Sequence, residues 1–108
     1  MECKVNLRLI EDGESDSSGF GHGVVTLLQG IEKYGSINKS TKAMGMAYSK
    51  AWTIINEAED RFHVTLIDRD GPRGSSLTED AHKYIEFFNK ATSAAQEAAN
   101  KVLKEYFK

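Results

Sequence analysis

The chain has 108 residues and a formal net charge of −2 at pH 7. Its 40% hydrophobic and 28% charged residues are typical of one ordinary globular domain, and no apolar run approaches the ~20 residues of a transmembrane helix. The one cysteine, Cys3, excludes a disulfide framework and a zinc finger, and the first residues lack the apolar stretch of a signal peptide, so we expect a cytoplasmic protein.

The N-terminal residues 3–10 alternate between apolar and polar side chains, with the apolar ones at the odd-numbered positions. This period predicts a half-buried strand. The acidic, Gly- and Ser-rich segment 11–19 predicts an exposed turn, and Phe20 then predicts a short returning strand.

Three helices are predicted next. The first begins at Val24 and ends at Gly35, which is typical of a helix C-terminus. Ser36 offers a hydroxyl N-cap to a short second helix, which Gly45 ends after about two turns. The third helix begins near Ala47. The side chains predicted to face the core from these helices are Val24, Leu27, Leu28, Ile31, Tyr34, Ile37, Thr41, Met44, Ala51, Trp52, Ile55, Ala58 and Phe62.

The remaining elements are a hairpin and a long helix. Residues 64–69 predict a strand, residues 70–74 form a turn cluster that contains the only proline, and residues 75–77 predict the returning strand. Thr78 is a suitable N-cap for a last helix that runs from residue 79 to the C-terminus, about 43 Å if continuous.

The order of a short helix, a tight turn at Gly45 and a longer helix is that of a helix-turn-helix, whose second helix enters the DNA major groove by its N-terminal end. The hairpin that follows makes it a winged one. The pI of about 5.9 argues mildly against a nucleic-acid binder, but residues 36–56 contain three lysines and no acidic residue, so the chain can still present one basic face. Charge alone favours an ordinary solvated helix surface, and the order of the helices is what favours DNA. We therefore predict binding to double-stranded DNA. The predicted contact residues are Ser36, Asn38, Lys39, Ala47, Tyr48, Ser49, Lys50 and Thr53, with Arg69 and Arg73 of the wing.

The predicted fold class is α+β and mostly helical: a winged helix-turn-helix with an N-terminal strand and a long C-terminal dimerisation helix. Residues 1–78 form the DNA-binding part with its N-terminal β segment, and residues 79–108 form the long helix of the same single domain.

Several motifs together resemble one family. They are Phe20-Gly21-x-Gly23, Gly35-Ser36-Ile37, the run from Ala43 to Trp52, Ile55-Asn56-Glu57 and Leu77-Thr78. The chain is similar in these motifs, from residue 4 to about 90, to the N-terminal domain of the ModE-type molybdate-responsive transcription regulators, relatives of the LysR winged-helix class. The resemblance implies a homodimer on a palindromic operator, with the start of the third helix in the major groove.

The chain departs from that family in three ways. It stops after the long helix, so we expect a stand-alone regulator with no molybdate bound. Its wing is shorter and less glycine-rich, which puts the wing's contacts with DNA in question. Ser40 and Thr41 replace small alanines, and this is tolerable if both hydroxyls bond to helical carbonyls.

The last helix carries apolar residues at alternating 4- and 3-residue steps, which predicts a coiled-coil dimer seam. The resemblance suggests that the face of the first helix contributes. The predicted dimer residues are Val24, Leu28 and Ile31 of the first helix and Ile85, Phe88, Ala95, Ala99, Val102 and Tyr106 of the last.

Other functions are less well supported. No nucleophile, base and orienting acid can be assembled, so we expect no enzyme and no cofactor. Cys3, His22, His63 and His82 lack ligand spacing on any one element, so no metal site is predicted. Two alternatives stay open: a degenerate winged helix that binds another protein, and a metal- or oxyanion-responsive switch on the same fold.

Overall fold

The computed structural model describes residues 1–13, 19–69 and 75–107. Within these ranges the fold is mostly helical with one small antiparallel sheet, which confirms the winged helix-turn-helix class. In chain order the elements are α1 (His22–Tyr34), α2 (Ile37–Met44), α3 (Tyr48–Phe62), β1 (Ile67–Asp68), β2 (Ser76–Leu77) and α4 (Glu79–Tyr106).

The predicted helix ends are confirmed by their capping geometry. Gly35 and Gly45 adopt the left-handed conformation, with φ of 74° and 67°, and end α1 and α2. The Ser36 hydroxyl accepts a hydrogen bond from the Lys39 amide at 3.0 Å, and the Thr78 hydroxyl accepts one from the Ala81 amide at 3.1 Å. α1 begins two residues earlier than predicted.

The core is centred on α1, where Leu27, Leu28 and Ile31 are completely buried. Tyr34, which was predicted to face the core, is 40% exposed, and the predicted core residues Met44, Trp52 and Phe62 are only partly buried, although all three pack against the core. The core also takes in side chains that the helical pattern did not assign to it. They are Phe20, Val25, Leu66, Ile67 and Ala81.

α1 and α2 are held together at Ser40, which is fully buried. Its hydroxyl donates a hydrogen bond to the Leu27 carbonyl of α1 at 3.0 Å. The neighbouring Thr41 hydroxyl donates to the Asn38 carbonyl within α2 at 2.8 Å. Both hydroxyls therefore bond to helical carbonyls, which satisfies the condition for burying them.

The N-terminal segment differs from its prediction. The expected strand is reduced to one antiparallel bridge between Leu9 and Phe20, whose two backbone hydrogen bonds measure 2.9 and 2.8 Å. Residues 1–9, here called the N-terminal arm, instead run beside α4. The Cys3 amide donates to the Asn100 side-chain oxygen at 2.7 Å, and the Val5 amide donates to that of Gln96 at 3.0 Å.

The alternation in the arm is nevertheless real, because residues 3, 5, 7 and 9 are partly buried and residues 4, 6 and 8 are exposed. Two residues of an extended chain span about 6.6 Å, and one helical turn of four residues spans about 6 Å. Alternate arm amides therefore meet α4 side chains one turn apart, and a helix takes the place of a partner strand.

The predicted hairpin is also shorter than expected. Its paired residues are Ile67 with Leu77 and Asp68 with Ser76. The turn at residues 70–74, like residues 14–18 of the acidic segment, lies outside the described residues. α4 is one continuous helix of 28 residues, about 42 Å long, and the molecule measures 56 × 31 × 24 Å. Within the described ranges, no helix is both long and apolar enough to cross a bilayer.

Candidate nucleic-acid interface

The turn between α2 and α3 is short and internally bonded. The Met46 amide donates to the Thr41 carbonyl at 2.9 Å, and the Gly45 amide donates to the Lys42 carbonyl at 3.3 Å. α3 begins after Ala47, which provides no side-chain cap, and the first turn of α3 contains no acidic residue. The positive end of the α3 dipole is therefore not neutralised by the helix's own side chains.

α3 separates its core side from its outer side. Ala51, Ile55 and Ala58 are buried, and Trp52, Ile54 and Phe62 pack against the core beside them, so the opposite side of the helix faces outward. The predicted DNA-contacting residues Ala47, Tyr48, Ser49, Lys50 and Thr53 are all exposed.

Ser49, Thr53 and Asn56 follow one another along the exposed side of α3 at steps of four and three residues, and we call this row the outer ridge. The Thr53 hydroxyl donates to the Ser49 carbonyl at 3.1 Å. The ridge is therefore polar, uncharged and rich in hydrogen-bonding groups.

α2 adds positive charge beside this ridge. Asn38 and Lys39, two of the predicted contact residues, are exposed, and so is Lys42. Ser36 is partly buried and its hydroxyl is occupied as the N-cap of α2. Lys39, Lys42 and Lys50 together give the helix-turn-helix an exposed basic character without any acidic residue between positions 36 and 56.

Arg69, predicted to be a wing contact, is held by the protein itself. Its guanidinium donates to Glu59 Oε1 at 3.0 Å, to Asn56 Oδ1 at 3.3 Å and to the Ile67 carbonyl at 3.3 Å. It also lies 4.7 Å from the centre of the Trp52 ring, within cation–π distance. Arg73, the other predicted wing contact, lies outside the described residues.

This stacking explains why Trp52 is only partly buried. One part of the indole packs against the core, while Arg69 covers its ring and Tyr48 meets it edge-on with the ring centres 6.4 Å apart. Trp52 therefore links the start of α3 to the base of the wing.

Glu59 connects the same two elements and was not identified from the sequence. Its side chain is only 14% exposed. While Oε1 faces Arg69, Oε2 accepts hydrogen bonds from the amides of Leu66 and Ile67 at 2.7 and 3.3 Å. A glutamate with an arginine ten residues away in sequence carries no periodic signal, so only the fold brings this pair together.

A groove of about 730 Å³ lies between the arm, the start of α1 and one side of α3. Its charged lining residues are Arg8, Lys50, Arg61 and Glu57. Three of these four carry positive charge, and Lys50 belongs both to the groove and to the exposed surface of α3.

The metal alternative gains no support from the described residues, among which no group of three His, Cys, Asp or Glu side chains could hold a metal ion. His82 of α4 instead meets Glu32 of α1, and His63 ends α3 in the left-handed conformation with φ of 54°.

The predicted dimer surface changes in part. Val24, Leu28, Ile31 and Phe88 are at most 8% exposed, because they form the core of their own chain, so they offer no surface to a second copy. Of the other predicted residues, Val102 and Tyr106 are 52% and 77% exposed, and Ile85, Ala95 and Ala99 are partly buried.

Comparison with known proteins gives a family and a fold. Residues 25–82 match the family described as "Bacterial regulatory helix-turn-helix protein, lysR family". The CbnR_DBD–DNA complex is similar in structure, with a TM-score of 0.61 and 14% identity over 78% of this chain and 95% of that one. CbnR, a LysR family transcriptional regulator, is also similar in structure, with a TM-score of 0.59 and 16% identity over 74% of this chain. The matched part spans only 27% of that protein. No curated protein matches the chain.

Proposed function

The chain belongs to the LysR family of bacterial regulatory helix-turn-helix proteins, and from this premise we propose that it regulates transcription by binding double-stranded DNA as a homodimer on a palindromic operator. The observation that carries the proposal is the exposed surface of α2 and the first part of α3, where residues 36–56 contain no acidic residue and lysines accompany a polar outer ridge. Such a protein works in the cytoplasm, and its mechanism is binding rather than catalysis.

The charged and polar groups have separate tasks in this mechanism. Lys39 and Lys50 neutralise phosphates and set the position of the protein on the duplex. The outer ridge and Tyr48 face base edges in the major groove. Ser36, Asn38 and Ala47 lie at the two helix starts, where backbone amides suit phosphate oxygens.

A dimer would place two α3 helices about 34 Å apart on one face of the DNA, which is the spacing of palindromic half-sites. The exposed apolar side chains of α4, Val102 and Tyr106, support this assembly. We propose further that the chain is a regulator of the ModE type that stands alone and binds no molybdate. Calorimetry that detected micromolar molybdate binding would refute this.

The test is an operator mobility shift with the Lys50→Ala and Tyr48→Ala variants. Both side chains are exposed, so we expect unchanged folding and weaker operator binding. If Lys50 contacts only a phosphate, Lys50→Ala should weaken binding equally for all DNA sequences. If Lys50 contacts a base, the substitution should cost about 1–3 kcal/mol of binding free energy and relax specificity at one position. Lys101→Ala on α4 is the control for removing one exposed lysine. Variants that bind as tightly as the wild type would refute the assignment of α3.

A further inference from the structure

Asn56 occupies the outer ridge of α3 next to Thr53, yet its amide is not free to turn. Its Oδ1 lies 3.3 Å from the Arg69 guanidinium. A guanidinium has only donors, so the amide atom that faces it is the oxygen, and the nitrogen retains both of its donors.

Arg69 is itself fixed in place. Its guanidinium contacts the Glu59 carboxylate, the Ile67 carbonyl and the Trp52 ring, which come from both α3 and β1. The Glu59 side chain is in turn fixed by two backbone amides at the start of β1. The orientation of the Asn56 amide is therefore imposed by the join between α3 and the wing.

This orientation has a consequence for base recognition. An asparagine reads adenine by accepting from N6 and donating to N7, so it needs its oxygen as well as its nitrogen. The contact with Arg69 holds Oδ1 toward the wing and uses one of its two lone pairs, so the paired contact with adenine competes with Arg69, whereas both Nδ2 donors remain free. Donors match acceptors, and in the major groove guanine presents two (O6 and N7), thymine presents O4, and adenine presents N7 beside its N6 donor.

We propose that Arg69 is a specificity-determining positioning residue, which makes Asn56 read bases mainly as a donor and so favours guanine or thymine over adenine at that position. This inference rests on the proposed function, because it assumes that α3 lies in the major groove. It assigns Arg69 a role other than the phosphate contact predicted from the sequence.

The experiment is selection from a random DNA duplex library by the full chain and its variants. We expect the wild type to prefer guanine or thymine at one position of each half-site by about tenfold. Asn56→Ala should lose the preference at that position alone. Arg69→Met should shift it toward adenine, because the released amide can turn. Lys101→Met on α4 is the control for losing one exposed positive charge, and it should leave every preference unchanged.

A second variant tests the same inference even if Arg69→Met does not fold. Asn56→Asp retains Arg69 but replaces the donor by an acceptor, so it should shift the preference toward cytosine, whose N4 donates. The inference is overturned if Arg69→Met folds and keeps the wild-type base preference. It is also overturned if Asn56→Ala or Asn56→Asp keeps that preference. A wild type that enriches no sequence would refute the proposed function itself, which is a distinguishable outcome.

Discussion

Gly30 and Ser40 show how single residues set the distance between α1 and α2. The Ser40 hydroxyl needs the Leu27 carbonyl as its partner, and the side chain reaches it over the bare backbone of Gly30. A Cβ at Gly30 would overlap that hydroxyl. The packing of the helix-turn-helix on α1 therefore depends on the absence of one methyl group.

Gly30→Ala should destabilise the protein, because overpacking costs about 1–3 kcal/mol, against a gain of roughly 1 kcal/mol in helix propensity. Gly23→Ala is the matched control, since a Cβ there meets no atom within 4 Å, and it should be neutral or slightly stabilising. Urea unfolding of both variants measures the difference. Equal free energies of unfolding for the two variants would show that the packing of α2 on α1 adjusts to the added methyl group at no cost.

Tyr84 predicts a specific loss of stability in alkali. Burial raises its pKa above the ordinary value near 10, and the charges of Asp80 and Glu11 raise it further. The folded state thus favours the neutral phenol, and its contribution is complete below pH ~10 and is lost as the pH rises through the folded pKa.

Above pH ~10 the wild type should lose more stability than Tyr84→Phe, which cannot ionise there. Tyr48→Phe is the control, because that residue is 51% exposed and lies outside the proposed α4 contact. Thermal melts between pH 9 and 11 compare the three proteins. Parallel curves for the wild type and Tyr84→Phe would contradict the prediction.

The bounds of the helices could be predicted closely from the sequence, whereas the lengths of the strands could not. The ends of α1, α2 and α4 depend on local chemistry, namely glycine in the left-handed conformation and hydroxyl caps at Ser36 and Thr78. The extended segments depend on distant partners. The arm finds α4 some ninety residues later, and β1 is fixed by Glu59 of α3.

The candidate site shows the same division. The exposure of Tyr48, Ser49 and Lys50 follows from helical periodicity, because the core takes Ala51 and Ile55. The stacking of Arg69 on Trp52 could not be predicted, since it requires β1 to lie beside α3. The orientation of the Asn56 amide likewise depends on Arg69 and could not be predicted.

The hydrogen bond from the Val5 amide to Gln96 should help to hold the arm on α4. Val5→Pro removes the amide that donates to Gln96, so the arm should detach more often; a hydrogen bond of this kind contributes about 0.5–1.5 kcal/mol. Asn6→Pro is the matched control, because residue 6 is exposed and the extended arm tolerates proline there. The labelling rate of the partly buried Cys3 thiol measures detachment. Equal rates in the two variants would show that the Val5 hydrogen bond does not hold the arm.

For the whole molecule, α4 determines the proposed assembly. Its last turns carry Gln96 and Asn100 toward the arm, while Val102 and Tyr106 remain exposed at other positions around the helix. These exposed apolar residues support a helix-to-helix contact with a second copy.

Val102→Glu combined with Tyr106→Glu should therefore give monomers with weaker operator affinity, because two carboxylates would be buried in the contact. Lys101→Glu is the control: it changes the net charge by the same amount at another exposed position of α4. Sedimentation equilibrium measures the association. A wild type that is monomeric at micromolar concentration would contradict both the α4 contact and the palindromic operator.

The contact between the arm and α4 also bears on how the chain folds. The hydrogen bonds from Cys3 and Val5 join residues 97 and 91 positions apart in sequence, so closing them costs more chain entropy than closing the local turns of the helix-turn-helix. We therefore expect these contacts to form late, after the helices have docked. Two polar atoms on this part of α4, Thr92 Oγ1 and Gln96 Nε2, are buried without a partner among the described residues, which makes the contact a weak one. The arm is then the last segment to fold and the first to open, and the amide protons of residues 3 and 5 should exchange with solvent long before those of the α1 core.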